Sequence, residues 1–195
     1  MRRGLRWLLC GGALVLSGCA SGQGPAQEPG TNAESPVEHG QSDSKAATVE
    51  LSPTEGNQAS GQLQLEVEGS DVRLSGTVEG LTPGAKHGFH IHAVGDCSAL
   101  DASSAGPHFS PGEEPHGRPG HGEHHLGDMT NLQADDAGRA TVDQTVTGAK
   151  LGDGSPHDLV GKAVVVHAAE DDYETQPAGD SGARIACGVI RAHEG

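Results

Sequence analysis

The chain has 195 residues, of which 33% are hydrophobic and 20% charged, with 31 glycines and 11 prolines. This is the size of one ordinary domain with a segment appended, and glycine and proline without a repeat period exclude a collagen-like chain. A formal charge of −15, with the basic residues beyond Arg6 scattered singly, argues against a nucleic-acid-binding surface, which needs clustered cations. Aromatic residues are only 2%, so any core must be aliphatic. Histidine is the unusual component: of 12 in the chain, eight fall between His87 and His125, a first sign of metal binding.

Residues 1–18 open with Arg2, Arg3 and Arg6 and continue into an apolar run, Leu8 to Leu16, too short to span a bilayer. This is the layout of a secretory signal. The ending Leu16-Ser17-Gly18-Cys19 resembles the lipobox of bacterial lipoproteins. That resemblance implies cleavage before Cys19, lipidation of its sulfur and a place in the cell envelope, with the lipid as the only membrane attachment. A plain signal peptide with an incidental Cys19 is the alternative. Removing residues 1–18 takes away three arginines, Trp7 and Cys10, and moves the formal charge to −18. With Cys10 removed and Cys19 lipidated, Cys97 and Cys187 remain in a compartment where disulfides persist, and they are expected to be bonded.

Residues 19–46 are rich in Gly, Pro, Ser, Gln and Glu and are expected to form a disordered tether, in which His39 is incidental. The domain is expected over 47–195. From Thr48 the pattern has period 2. Leu63, Leu65 and Val67 share one face of a strand over 61–69, and Val72, Leu74 and Val78 alternate in the next. A strand carrying His90 and His92 follows, then strand-like runs near 129–133, 139–146, 162–167 and 185–191. Asp135-Asp136-Ala137-Gly138 is a hairpin signal between the first two of these. No stretch has helical periodicity, so the fold class is all-β, a sandwich or barrel. Two segments, 93–124 and 168–184, are too long for structureless loops in a compact domain and call for a functional reason.

In His90-Ile91-His92, residues two apart on a strand point to one side, so both imidazoles face one point while Phe89 and Ile91 face the other. Alone, such a pair is a weak signal, since two histidines on one strand face are more often solvated than ligands. His108, His116 and His125-Leu126-Gly127-Asp128 follow in the first long loop, and His167 closes the apolar run Val164-Val165-Val166.

The stretches His87-Gly88-Phe89-His90-Ile91-His92, Gly95-Asp96-Cys97, Ala105-Gly106-Pro107-His108-Phe109, His125-Leu126-Gly127-Asp128, Val164-Val165-Val166-His167 and Arg184-Ile185-Ala186-Cys187-Gly188-Val189-Ile190 resemble, in order, the copper/zinc superoxide dismutases. The resemblance covers roughly 47–192. It implies an eight-stranded Greek-key β-barrel with two long loops building a site on its outside. It makes His90, His92, His108 and His167 the ligands of one copper per subunit. His108 would bridge to one zinc, completed by His116, His125 and Asp128, and would take a proton when it releases reduced copper. The residue types suit this, since imidazole serves both metals and three His with one carboxylate make a closed zinc site.

The resemblance also implies that Asp171 links a copper ligand to a zinc ligand by hydrogen bonds; a solvated acid is the plainer reading. His87 matches a structural position. His121 and His124 compete for the zinc role, and the His-x-Gly-Asp spacing favours His125. His157 and His193 are expected on the surface. Arg184 matches the arginine that attracts superoxide at the copper channel. A chain at −18 should repel that anion, so a locally positive funnel is needed. Two divalent ions, less the charges of the His108 imidazolate and Asp128, leave about +2, to which Arg184 adds one. Cys97 lies early, as in bacterial members, and loop 168–183 is acidic without a lysine, which makes lysine steering doubtful. The rival reading is a non-catalytic envelope lipoprotein that buffers copper or zinc. Monomer and homodimer both remain open.

Overall fold

The computed structural model describes residues 45–193. The expected signal, Cys19 and nearly all of the tether therefore lie outside the described residues. Ten strands are assigned among the described residues: β1 Ala46–Pro53, β2 Ser60–Glu68, β3 Asp71–Glu79, β4 Lys86–His87, β5 Phe89–His92, β6 Leu132–Gln133, β7 Ala140–Val146, β8 Ala163–His167, β9 Arg184–Val189 and β10 Arg191–Ala192. The only helical turn among them is a 3₁₀ turn, Ser103–Ala105. Counting β4 with β5 and β9 with β10 as interrupted strands recovers the eight expected.

Strand pairing is antiparallel throughout, in the order β5-β8-β9-β1-β2-β3-β7, with β10 beside β1 and β4 beside β6. The break at Gly88 lets one run of chain serve two partners: Lys86–His87 pairs β6, and Phe89–His92 pairs β8. The sheet curls into a barrel with Greek-key order, because β1 is flanked by β2 and by the last strands.

Alternation makes the interior. Val49, Leu51, Leu63, Leu65, Val72, Leu74 and Val78 are buried, together with Phe89 and Ile91 from β5. Val67 departs from expectation at 39% exposed: its partner Val72 on β3 is buried, but on its other side β1 ends opposite Glu66 and does not reach it. β6 is shorter than the expected run 129–133. Thr130 exchanges both main-chain bonds with the Gln144 carboxamide, and the Asn131 N–H donates to the Tyr173 hydroxyl, so neither joins the ladder.

β8 is buried on both faces. Val164 and Val166 enter the barrel, while Ala163 and Val165 pack outward with Ala102, Ala105, Cys97 and Cys187. This outer cluster seats the first long loop on the barrel wall. The Cys97–Cys187 disulfide, closing a separation of 90 residues, ties that loop to β9. Replacing both cysteines by serine is expected to cost about 3–5 kcal/mol of stability. Calorimetry should then read a fall in Tm of roughly 10 °C; an unchanged Tm would mean the outer cluster alone holds the loop.

Candidate metal centre

Three ligand-bearing segments meet through a small ring of main-chain bonds. Ile91 N–H donates to Gly127 O, Gly127 N–H to Phe109 O, and Phe109 N–H to Ile91 O, each at 2.8 Å. This brings His90 and His92, His108, and His125 with Asp128 to one place. The approach is possible only because residue 127 is glycine, since a Cβ there would lie 2.2 Å from Ile91 O. His167 joins from β8, where the register shifts between Val166 and His167.

Two groups of donor atoms result. In one, His90, His92, His108 and His167 each offer a ring nitrogen; in the other, His108, His116 and His125 offer nitrogens and Asp128 an oxygen. Within each group the donor atoms lie within 4.8 Å of one another, and every residue is buried. His108 belongs to both. The solvated reading of His90 and His92 does not hold: they are 0% and 1% exposed.

The second ring nitrogen of each histidine selects the tautomer, because a carbonyl or carboxylate can only accept. His92 Nδ1 donates to Gly106 O at 2.8 Å and His167 Nδ1 to Gly182 O at 3.2 Å, leaving both Nε2 atoms as lone pairs 3.4 Å apart. His90 Nε2 donates to Asp171 Oδ2 at 2.7 Å. His90 Nδ1 and His108 Nε2 are buried without a protein partner. An unmade hydrogen bond on a buried polar atom costs roughly 1–3 kcal/mol, which a bound cation would offset.

Asp128 organises the other group. Its Oδ2 accepts from the N–H of Gly117 and of His125, which turns Oδ1 toward the rings. Oδ1 then lies 2.8, 3.0 and 3.2 Å from Nδ1 of His108, His116 and His125. A tetrahedral ion with bonds of about 2.0 Å needs donor atoms roughly 3.3 Å apart, so this cluster fits zinc.

The electrostatics follow from burial and these carboxylates. Burial holds His92, His108 and His167 neutral, with pKa values pushed down to about 2, about 4 and about 3. Burial also opposes charge on His116, but its bonds to Asp128 and Asp171 outweigh this and raise it to about 9. For Asp128 and Asp171 burial favours the neutral form, yet the surrounding imidazole bonds hold both below the ordinary carboxylate range. Asp171 spans the groups, one oxygen on His90 and the other 3.0 Å from His116 Nε2. The solvated-acid reading fails, because Asp171 is fully buried.

Arg184 is clamped over the first group. Its Nη1 and Nη2 donate to Ala102 O and Gly106 O at 2.6 Å each, and Gly106 O also receives His92. Arg184, His92, His108, His167, Thr175 and Gln176 are among the residues lining a pocket of about 600 Å³. The remaining expected residues fall elsewhere. His121 is exposed and His124 bonds the His125 carbonyl, and neither joins a donor group. His157 and His193 are exposed, and buried His87 donates to His167 O. Asn131 and Gln176, which bracket the loop main chain, carry no sequence signal, because their work is done on backbone atoms far away in sequence.

Fold and site together define a metalloprotein with two histidine-rich donor groups fused through one imidazole on the outside of a Greek-key barrel. The sequence description of the family "Copper/zinc superoxide dismutase (SODC)" matches residues 59–190, and the chain belongs to this family of oxidoreductases. It is 37% identical over 131 residues to "Superoxide dismutase [Cu-Zn]" of Cryptococcus neoformans var. grubii, covering 64% of this chain and 83% of that one. Among solved structures it resembles a SOD-like protein from Bacillus subtilis (34% identity, TM-score 0.66, covering 73% of this chain and 96% of that one). A double mutant of that protein superposes with TM-score 0.67 at 35% identity, covering 74% and 96%.

Proposed function

We propose that the chain is a lipid-anchored envelope superoxide dismutase that converts two superoxide anions and two protons to O₂ and H₂O₂. The observation that carries this reading is the pair of donor groups sharing His108, with an arginine held at the pocket beside one of them. In this reading His90, His92, His108 and His167 hold copper, and His108, His116, His125 and Asp128 hold zinc. Copper would supply the one-electron chemistry when bound, and four imidazoles are donors that suit it. The donor types fit both ions, and the unpartnered His90 Nδ1 and His108 Nε2 are where the fit is most direct.

The protein supplies placement, charge and a proton. Main-chain carbonyls of Gly106 and Gly182 orient His92 and His167, and Asp171 orients His90. Two of the five N–H groups of Arg184 are committed to carbonyls, which leaves three for an anion. Its charge offsets the acidity of the chain locally. His108, with a nitrogen in each group, is placed to hold a proton at Nε2 and to release it beside the pocket. Attachment through Cys19 rests on the sequence pattern alone; Cys19→Ser is expected to abolish labelling by a fatty-acid analogue and to release the chain from membranes. Labelling that persists in this variant would overturn the anchor.

Arg184→Ala in the copper- and zinc-loaded protein is expected to lower kcat/KM for superoxide about tenfold and to weaken its salt dependence. Arg184→Lys should fall between, since a point charge cannot bridge the two carbonyls in the same way. Stoichiometric copper and zinc in the wild-type chain without turnover would replace this reading by metal buffering.

A further inference from the structure

The pocket is walled by two segments far apart in sequence. One carries His108, His116, His125 and Asp128; the other, 168–183, carries Asp171 and lines the pocket together with Arg184. Asp171 joins them through ring nitrogens. A second junction acts on main chain instead. The His116 N–H donates to Gln176 Oε1 at 2.9 Å, and Gln176 Nε2 donates to His116 O at 2.8 Å. The carboxamide thus closes both main-chain bonds of one residue across 60 positions of sequence, while Gln176 itself lines the pocket.

The same device recurs on the other side of the Asp171 bridge. Asn131 Nδ2 donates to Asp171 O at 2.8 Å, and the Asp171 N–H donates to Asn131 Oδ1 at 2.9 Å. The two residues joined by the Asp171–His116 bond are therefore each gripped at the backbone by an amide from an opposing segment. Gly179 closes the space beneath: a Cβ there would fall on Asp171 Oδ1 and 2.8 Å from His116 Nε2, at a φ of +67° that already favours glycine. Two contacts of this loop lie further out. Lys86–Glu170 and Arg118 over the Tyr173 ring bridge surface groups, where such pairs contribute little.

We propose that Gln176 is a positioning residue that clamps the His116 main chain to the pocket wall, so that the zinc-side donor group and the anion entrance keep one shared geometry. The clamp itself is independent of catalysis; its consequence for anion entry rests on the function proposed above. The acceptor half of the clamp survives in glutamate, whereas leucine keeps the volume and loses both bonds.

The test uses the full chain as Gln176→Leu and Gln176→Glu. In metal-free protein, NMR hydrogen exchange at the His116 amide reads the clamp directly. Exchange should accelerate about tenfold or more in Gln176→Leu and stay near wild type in Gln176→Glu. In protein loaded with copper and zinc, transfer of zinc to a chelator should become several-fold faster in Gln176→Leu. Azide binding, followed in the visible spectrum, should weaken in both variants, more in Gln176→Glu because it adds a negative charge to the wall. If Gln176→Leu does not fold, Gln176→Asn, one methylene too short to reach, takes its place. His116 exchange unchanged in the variant lacking both bonds overturns the clamp. The predicted exchange difference in a wild-type background that shows no superoxide turnover supports the clamp and overturns the enzymatic reading instead.

Discussion

Replacing His167 by alanine is expected to reduce superoxide turnover by more than about a hundredfold, beyond the loss typical of partners one shell out from a metal. The side chain supplies one of four donors to the first group, and its Nδ1 bond to Gly182 O aims Nε2 at His92 Nε2. None of the second group's atoms belongs to His167. Zinc content should therefore remain near one per chain while copper is lost, as elemental analysis after dialysis would show. Turnover retained in this variant would remove the first group from the chemistry. Asp171→Asn should give the milder outcome, roughly 10–100-fold weaker metal retention, because it leaves the packing but weakens the hold on His90 and His116.

Stripping both metals with a chelator is expected to lower Tm by about 10 °C or more. A ligand present at about a thousand times its Kd adds about 4 kcal/mol, and a domain of this size moves roughly 3 °C per kcal/mol. The stripped site keeps two buried ring nitrogens without partners. Its stability should also become pH-dependent. His92, His108 and His167 sit below their ordinary value near 6.5 in the fold, at about 2, 4 and 3. Their contribution is complete above pH 6.5 and is lost as pH falls toward 4, because the unfolded chain takes up the protons. His116, raised to about 9, works in the opposite sense: its contribution is complete below 6.5 and fades as pH rises through 9. Stability of the stripped protein should therefore peak near pH 6.5. Calorimetry across pH 4–9 would show this, and a Tm indifferent to both chelation and pH would mean the donor groups carry no metal and no linked protons.

Much of the fold was legible because strands leave a mark of period 2. Leu63 and Leu65, and Val72, Leu74 and Val78, alternate as half-buried strands must, and the hairpin after Asp135 carries its own turn chemistry. Rare residue types at short spacings, His90 and His92 two apart and His125 and Asp128 three apart, marked candidates, but the full donor set followed from the resemblance of the ordered motifs and not from spacing. Val67 and the short β6 differ from the period-2 expectation, since the end of β1 beside Glu66 and the capture of Thr130 by Gln144 depend on neighbours distant in sequence.

By itself the sequence determined an all-β domain, a histidine set suited to two metals, the pairing of Cys97 with Cys187 and an acidic chain with one arginine beside its last cysteine. Only the tertiary structure decided which nitrogen of each ring is free and that Asp171 is buried between two rings. It alone showed how the carbonyls of Ala102, Gly106 and Gly182 and the carboxamides of Asn131 and Gln176 hold the site in place. The physical reason is the same in each case. Side-chain type is written locally, but the main-chain atoms that orient these groups are common to every residue, and only folding selects which of them arrive.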